Sequence, residues 1–186
     1  MAAFYLHHRL SEDLDFFTEE KGRVNKAKDI LNEIAKSVGC KLEINREFET
    51  FLECFLIKEN EVVKCDFAED SPYRLKPKIL NKRYNIYVDN QLDIACNKFS
   101  ALFDRHEAKD FVDIYFLSKQ LMSFDEIYSN AKKKHVGLDD YWLARSLDYV
   151  FRLEKLPKML KPLNKKEMMK FYENMIAKLM KKIRGS

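Results

Sequence analysis

Near the start of the chain, Asp13-Leu14-Asp15 separates two carboxylates by a single residue. On a strand, whose side chains alternate with period two, both carboxylates point to one face while Leu14 and Phe16 point into a core. Like charges placed this way repel unless a cation lies between them. Mg²⁺ takes hard oxygen ligands and is commonly held by one or two carboxylates plus substrate phosphates, so an acid-apolar-acid triplet on a strand signals phosphate chemistry. The same triplet is more often a solvated face, so the signal needs a further ligand. Asp66 is the candidate: it comes late in the run Val62-Val63-Lys64-Cys65-Asp66-Phe67, which reads as a strand able to lie beside the first. The plainer alternative is that Asp66 faces water.

The pattern of the chain shows which elements must position these groups. Residues 1–9 read as a short helix with Phe4, Tyr5 and Leu6 for packing. His7 and His8 are adjacent, so a helix packs one and exposes the other. Residues 21–38 carry Val24, Ala27, Ile30, Leu31, Ile34 and Val38 at the spacing of an amphipathic helix, and Gly39 is placed to stop it. Runs at 41–48, 51–57 and 61–67 read as antiparallel strands, with Lys58-Glu59-Asn60 as a hairpin turn. Pro72 and Pro77 bracket a loop, and 84–88 reads as a further short strand. From Gln91 the pattern turns helical, with helices expected at 91–106, 107–119, 124–134, 138–151 and 164–183. Pro157 and Pro162 break the chain before the last helix, for which Met168, Met169, Phe171, Met175 and Met180 supply a packing face. Lys98 and Arg105, seven apart, share a helix face, and Asp110 and Asp113 form a stripe on the next helix beside Lys109. The chain thus divides into a sheet-bearing part, 1–90, and a helical part, 91–186.

At 186 residues, with 46% hydrophobic and 13% aromatic content, the chain can bury a substantial core. Four Gly and four Pro are few, which argues against a loop-rich sandwich or a disordered chain. No apolar run approaches the roughly 18 residues needed to span a bilayer, and the first residues lack the order of a signal peptide, so a soluble cytoplasmic protein without membrane contact is expected. Cys40, Cys54, Cys65 and Cys96 form no C-x-x-C pair, and three lie in apolar segments, so free buried thiols are expected. The net charge of +4 is unevenly spread. Residues 152–186 hold eleven Lys or Arg against three Glu, a basic tail suited to a polyanion on a mildly acidic body suited to cations.

The segments HHRLSEDLDFF, KCDFA and LDIACNKFSALFDRHEAKDFVDIYFL, in this order and at these separations, resemble the AbiEii/AbiGii-type nucleotidyltransferase toxins of bacterial toxin–antitoxin and abortive-infection systems, members of the polymerase-β-like superfamily. The resemblance covers most of 1–117. It implies an α+β protein with a minimal nucleotidyltransferase fold, a small mixed sheet with helices, followed by a helical C-terminal part. It assigns Asp13, Asp15 and Asp66 to a pair of Mg²⁺ ions, and Asp66 also to accepting the proton of an attacking hydroxyl. Lys98 matches the family's phosphate-contacting Lys. Arg105, Lys109, Asp110 and Asp113 match its R-x-x-x-K-D-x-x-D segment, which implies nucleotide contacts for Arg105 and Lys109 and a catalytic or positioning role for Asp110 and Asp113. The implied substrates are a nucleoside triphosphate and an RNA acceptor such as tRNA, and the implied partner is a cognate antitoxin. The family's Gly-Gly-Thr or Gly-Ser turn, upstream of the acidic triplet, falls before Met1. Two alternatives stay open on that point: a start placed downstream of the true one, or a truncated relative that binds nucleotide poorly. An inactive binding protein and a small-molecule nucleotidyltransferase are the other readings.

Overall fold

The computed structural model describes all residues except Glu12, Ser71, Pro72 and Ser186, and the side chain of Ala3. The expected loop boundary at Pro72 therefore lies outside the described residues. The chain forms two compact units, one of residues 11–73 and one of residues 1–10 with 74–186. The sequence pattern changes at residue 90, whereas the units part after Leu10 and after Tyr73, because the first ten residues pack with a segment far away in sequence.

In the 11–73 unit, β1 (Asp13–Thr18) is followed by helix α1 (Arg23–Val38) and three strands, β2 (Lys41–Phe48), β3 (Phe51–Lys58) and β4 (Glu61–Glu69). The sheet order is β1-β4-β3-β2, with β1 parallel to β4 and the other pairs antiparallel. The β2-β3-β4 meander follows from the alternating runs, and Glu59 takes a positive φ of 54° in the turn between β3 and β4. α1 ends where Gly39 adopts φ 68°, a left-handed conformation that only Gly enters without steric cost, and the Cys40 N–H returns to the Ala35 carbonyl at 2.8 Å. Val24, Ala27 and Leu31 of α1 bury against Leu52, Cys54 and Cys65 of the sheet. The opposite face carries Asp15, Glu53, Lys64 and Asp66 among apolar residues that include Phe51, Phe55 and Ile57.

The strand at 13–18 forms as expected, but Leu14 and Phe16 do not enter a closed core: they remain 47% and 41% exposed. The reason is that β1 is an edge strand, with β4 as its one neighbour among the described residues. Phe16 stacks on Phe67 at 4.8 Å between ring centroids, so its burial is partial.

The second unit begins with a single π-helical turn, Ala2–Leu6, followed by residues 8–10, which run antiparallel to 158–160: Leu10 N–H bonds the Lys158 carbonyl at 2.9 Å and Leu160 N–H the His8 carbonyl at 2.8 Å. A small hairpin of β5 (Ile79–Asn81) and β6 (Ile86–Val88) precedes helices α2 (Gln91–Arg105), α3 (Ala108–Gln120), α4 (Phe124–Lys134), α5 (Asp140–Asp148) and α6 (Lys165–Arg184), with a 3-10 turn at Tyr149–Arg152. Side-chain N-caps start four of these helices: Asn90, Ser123, Asp139 and Asn164 accept from N–H groups of the first turn. Phe99, Leu102, Phe111, Ile114, Leu117 and Tyr172 are among the fully enclosed core side chains. The expected methionine face of α6 holds for Met168, Met175 and Met180, whereas Met169 lies outside the core cluster and Tyr172 and Leu179 supply the deepest contacts beside Met168. Asp93, fully buried, accepts from the backbone N–H groups of Leu75 and Lys76 at 2.9 and 3.0 Å and from Lys134 at 2.6 Å, which ties the 74–76 strap and α4 to α2. Among the described residues no helix is long and apolar enough to cross a membrane.

Candidate functional site

On the sheet of the 11–73 unit, the parallel register sets Asp13 beside Lys64 and Asp15 beside Asp66. Register partners on adjacent strands share a face and lie roughly 5 Å apart. Asp13, Asp15, Lys64 and Asp66 therefore stand on one face, opposite the Cys65 and Phe67 face that α1 covers. Across β3, Glu53 is the partner of Asp66. Lys64 Nζ donates to Asp66 Oδ2 and to Glu53 Oε2, both at 2.8 Å. A bulge between Ile44 and Arg46 aims two successive side chains of β2 at the same carboxylate. Arg46 reaches Glu53 at 2.8 and 3.1 Å, and Asn45 donates to it as well. The bonds from Arg46, Lys64 and Asn45 hold the Glu53 carboxyl well below the usual carboxylate range, and its bonds to Asp66 and Glu53 hold the Lys64 ammonium well above its ordinary value.

Among the described residues no three His, Cys, Asp or Glu side chains gather closely enough to hold a metal ion. Asp66 nevertheless offers a free acceptor, since its Oδ1 is buried without a hydrogen-bond partner among the described residues. An orphaned buried carboxylate oxygen is costly, and a cation is what it accepts best. Mg²⁺ does not require a complete protein cage, because phosphates and water fill the remaining positions. Asp15 and Asp66, neighbours in register, are two carboxylates of the kind such an ion takes, with Asp13 two residues away on the same face.

In the helical unit, Lys98, Arg105, Asp110 and Asp113 come together. His106 closes α2 at φ 57°, left-handed, and this reversal carries the chain from Arg105 directly into α3. Arg105 grips Asp110 with two bonds of 2.8 and 3.0 Å, while Lys98 Nζ lies 3.4 Å from Asp110 and 3.2 Å from Asp113. Lys109 Nζ lies 3.2 Å from Glu107, at the start of α3. Asp110 and Asp113 are fully buried, whereas Arg105 is 43% exposed and Lys98 22%, so the cations rather than the carboxylates face outward.

Sequence reasoning missed the residues that hold Asp113. Arg9 forms a bidentate pair with it at 2.7 and 2.8 Å, and His8 Nε2 donates to Asp113 Oδ1 at 2.8 Å. His8 is the packed member of the histidine pair and His7 the exposed one, although the helix expected over 1–9 ends at Leu6 and the split comes instead from the left-handed turn at His7 and the extended run 8–10. Burial alone would raise the Asp113 pKa, but the bonds from His8 and Arg9 and the charge of Lys98 outweigh it and hold the carboxyl well below the usual range. A signal for these partners was available. Asp113 interrupts the apolar run Phe111-Val112-Asp113-Ile114-Tyr115-Phe116, and a carboxylate there must be paired. The sequence does not say with what, since the partners lie 104 and 105 residues away.

The chain is similar to several known proteins. It is 30% identical over 143 residues to aq_aa25, an uncharacterized protein of Aquifex aeolicus (strain VF5), a match covering 76% of this chain and 66% of that protein. Two solved structures from Helicobacter pylori share the fold at 17% identity. One, of a candidate nucleotidyltransferase, has a TM-score of 0.63 and covers 98% of this chain and 83% of its own. The other, JHP933, has a TM-score of 0.62 over 98% and 80%. The family described as nucleotidyl transferase AbiEii toxin, type IV toxin–antitoxin system, matches residues 1–184. With virtually the whole chain matched, and with the mixed sheet and helices that the resemblance implies, the chain belongs to the AbiEii family of nucleotidyltransferase toxins.

Proposed function

We propose that this protein transfers a nucleoside monophosphate from a nucleoside triphosphate to an RNA acceptor such as tRNA, with Mg²⁺, as the toxin of a toxin–antitoxin pair whose cognate antitoxin restrains it. The observation that carries the reading is the shared face of Asp13, Asp15 and Asp66, with one buried Asp66 oxygen unpartnered among the described residues.

Asp13, Asp15 and Asp66 would hold the metal. Bound there, Mg²⁺ would neutralise phosphate charge and lower the pKa of the attacking hydroxyl. Asp66, whose Oδ1 has no competing donor among the described residues, would accept that hydroxyl's proton. Lys98 and Arg105 offer partly exposed positive charge to the triphosphate and its leaving pyrophosphate, and Lys109 adds a cation close by in sequence. Asp110 and Asp113 act as positioning residues in this scheme, because their oxygens are taken up by Arg105, Lys98, Arg9 and His8. They fix the direction in which the cations point.

The test is incorporation of labelled nucleotide into a tRNA pool in the presence of Mg²⁺. The wild type labels RNA and Asp13→Ala does not; equal labelling by the two defeats the proposal.

A further inference from the structure

The β5–β6 hairpin belongs to none of the groups above, yet its composition and exposure are unusual. Residues 75–88 carry Lys76, Lys78, Lys82 and Arg83 and no acidic residue, with Tyr84 and Tyr87 interleaved. The strands have three residues each and pair Ile79 with Val88, Leu80 with Tyr87 and Asn81 with Ile86. Leu80 and Tyr87 therefore share one face, and Ile79 and Ile86 share the other. All four are exposed, Tyr87 at 67% and Ile79 at 51%. A two-stranded hairpin open on both faces is marginal by itself, so exposed apolar and aromatic surface on both sides marks it as an interaction element.

The tip is preorganised. Asn81 Oδ1 accepts the N–H groups of Arg83 and Tyr84 at 3.1 and 3.3 Å, and Asn85 turns the chain at φ 51°. This fixes Lys82, Arg83 and Tyr84 in sequence along the tip. The Arg83 guanidinium lies over the Tyr84 ring, 5.3 Å from its centroid, and Phe4 meets the same ring edge-on at 6.2 Å. Tyr84 is still 56% exposed, so its ring is braced but accessible.

A segment that holds cations and no acid, interleaved with accessible aromatic rings, matches a chain of phosphates carrying flat bases. A folded acidic protein would be satisfied by the cations but has no particular use for two exposed tyrosines. A duplex presents phosphates but hides its base faces. We propose that the hairpin is a docking surface for single-stranded nucleic acid, with bases stacking on Tyr84 and Tyr87 and phosphates meeting Lys82 and Arg83. The inference deepens the acceptor half of the function proposed above and rests on that reading for its biological role.

The test is fluorescence anisotropy of a short labelled oligo(U) and its deoxy counterpart with the full chain, without nucleoside triphosphate or divalent metal. Stacking contributes about 1–3 kcal/mol per base, so Tyr84→Ala and Tyr87→Ala should each weaken binding about ten-fold, and the Phe variants should bind nearly as the wild type does. The double variant Lys82→Glu/Arg83→Glu should flatten the log–log salt dependence by roughly 0.7 for each phosphate that is no longer neutralised. Circular dichroism confirms that each variant is folded. Wild-type affinity in both Ala variants overturns the proposal. So does displacement of oligo(U) by polyglutamate of equal charge, which would make the hairpin a site for an acidic protein. Nucleotide transfer is measured on the same variants. Transfer that ignores the hairpin sinks the hairpin alone, and hairpin-dependent binding by a chain that transfers nothing sinks the reaction alone.

Discussion

Asp113 offers a prediction that can be worked from geometry. Its carboxylate is fully buried and holds Arg9, itself only 7% exposed, in a bidentate grip, together with His8 and Lys98. Asp113→Ala leaves the Arg9 guanidinium enclosed without this carboxylate, and removing one member of a buried pair costs about 3–5 kcal/mol. For a chain of this size, 1 kcal/mol shifts the melting temperature by about 2–4 °C, so the expected loss is roughly 6–20 °C. Thermal melting followed by far-UV circular dichroism reads it, since the helical signal comes chiefly from α2 to α6. Lys170→Ala is the control: its pairing with Glu173 is exposed on both sides and should contribute no more than about 1 kcal/mol. The pH dependence has a definite sign. The folded pKa of Asp113 lies below its unfolded value of about 3.9, so the stabilisation is present above that value and is lost as the pH falls through the folded one. The gap between the wild type and Asp113→Asn should therefore be widest near neutrality and narrow below about pH 4. An Asp113→Ala variant that melts within about 2 °C of the wild type would refute the argument, since that is less than the effect of about 1 kcal/mol.

Two further outcomes follow from the sheet unit and the thiols. Lys64→Met deprives Asp66 and the buried Glu53 of a shared charged donor, at a cost of about 1–3 kcal/mol, and Mg²⁺ should recover more stability in this variant than it adds to the wild type; thermal shift with and without Mg²⁺ measures both. Burial pushes the Cys54 and Cys96 thiols up to about 11 and raises Cys65 as well, while Cys40 is partly exposed, so a disulfide reagent at neutral pH should titrate one thiol rapidly in the native protein and all four in denaturant.

Most elements, though not β5, were legible because their signals are local. Apolar residues at 24, 27 and 31 define α1, Gly39 ends it, and Asn90, Ser123, Asp139 and Asn164 open later helices with hydrogen bonds that span only two or three residues. Alternation gave β2 to β4 for the same reason. What the pattern could not supply was pairing between distant segments. That β1 lies parallel to β4, with Asp15 opposite Asp66, depends on α1 carrying the chain across the sheet. That β1 is an edge, leaving Leu14 and Phe16 half exposed, depends on what does not pair with it among the described residues. The early histidine–arginine pair acquires its meaning only when residues 8–10 bond to 158–160 and α3 brings Asp113 to them.

The two charged groups differ in a way that bears on their chemistry. In the helical unit the carboxylates are saturated: Asp110 and Asp113 lie at zero exposure, each held by cations, and the partly exposed members are Lys98 and Arg105. Buried pairs of this kind add little net stability compared with apolar packing, because desolvation offsets most of the attraction. Their effect is geometric, and what they fix is a cationic edge, the complement of an anion. In the sheet unit the balance is reversed. Lys64 and Arg46 are committed to Glu53 and Asp66, and the group left with an unsatisfied buried oxygen among the described residues is a carboxylate, beside Asp15. That face is the complement of a cation. Each unit thus offers one kind of complement, and the unpartnered Asp66 oxygen is the feature of the sheet unit that packing alone does not explain.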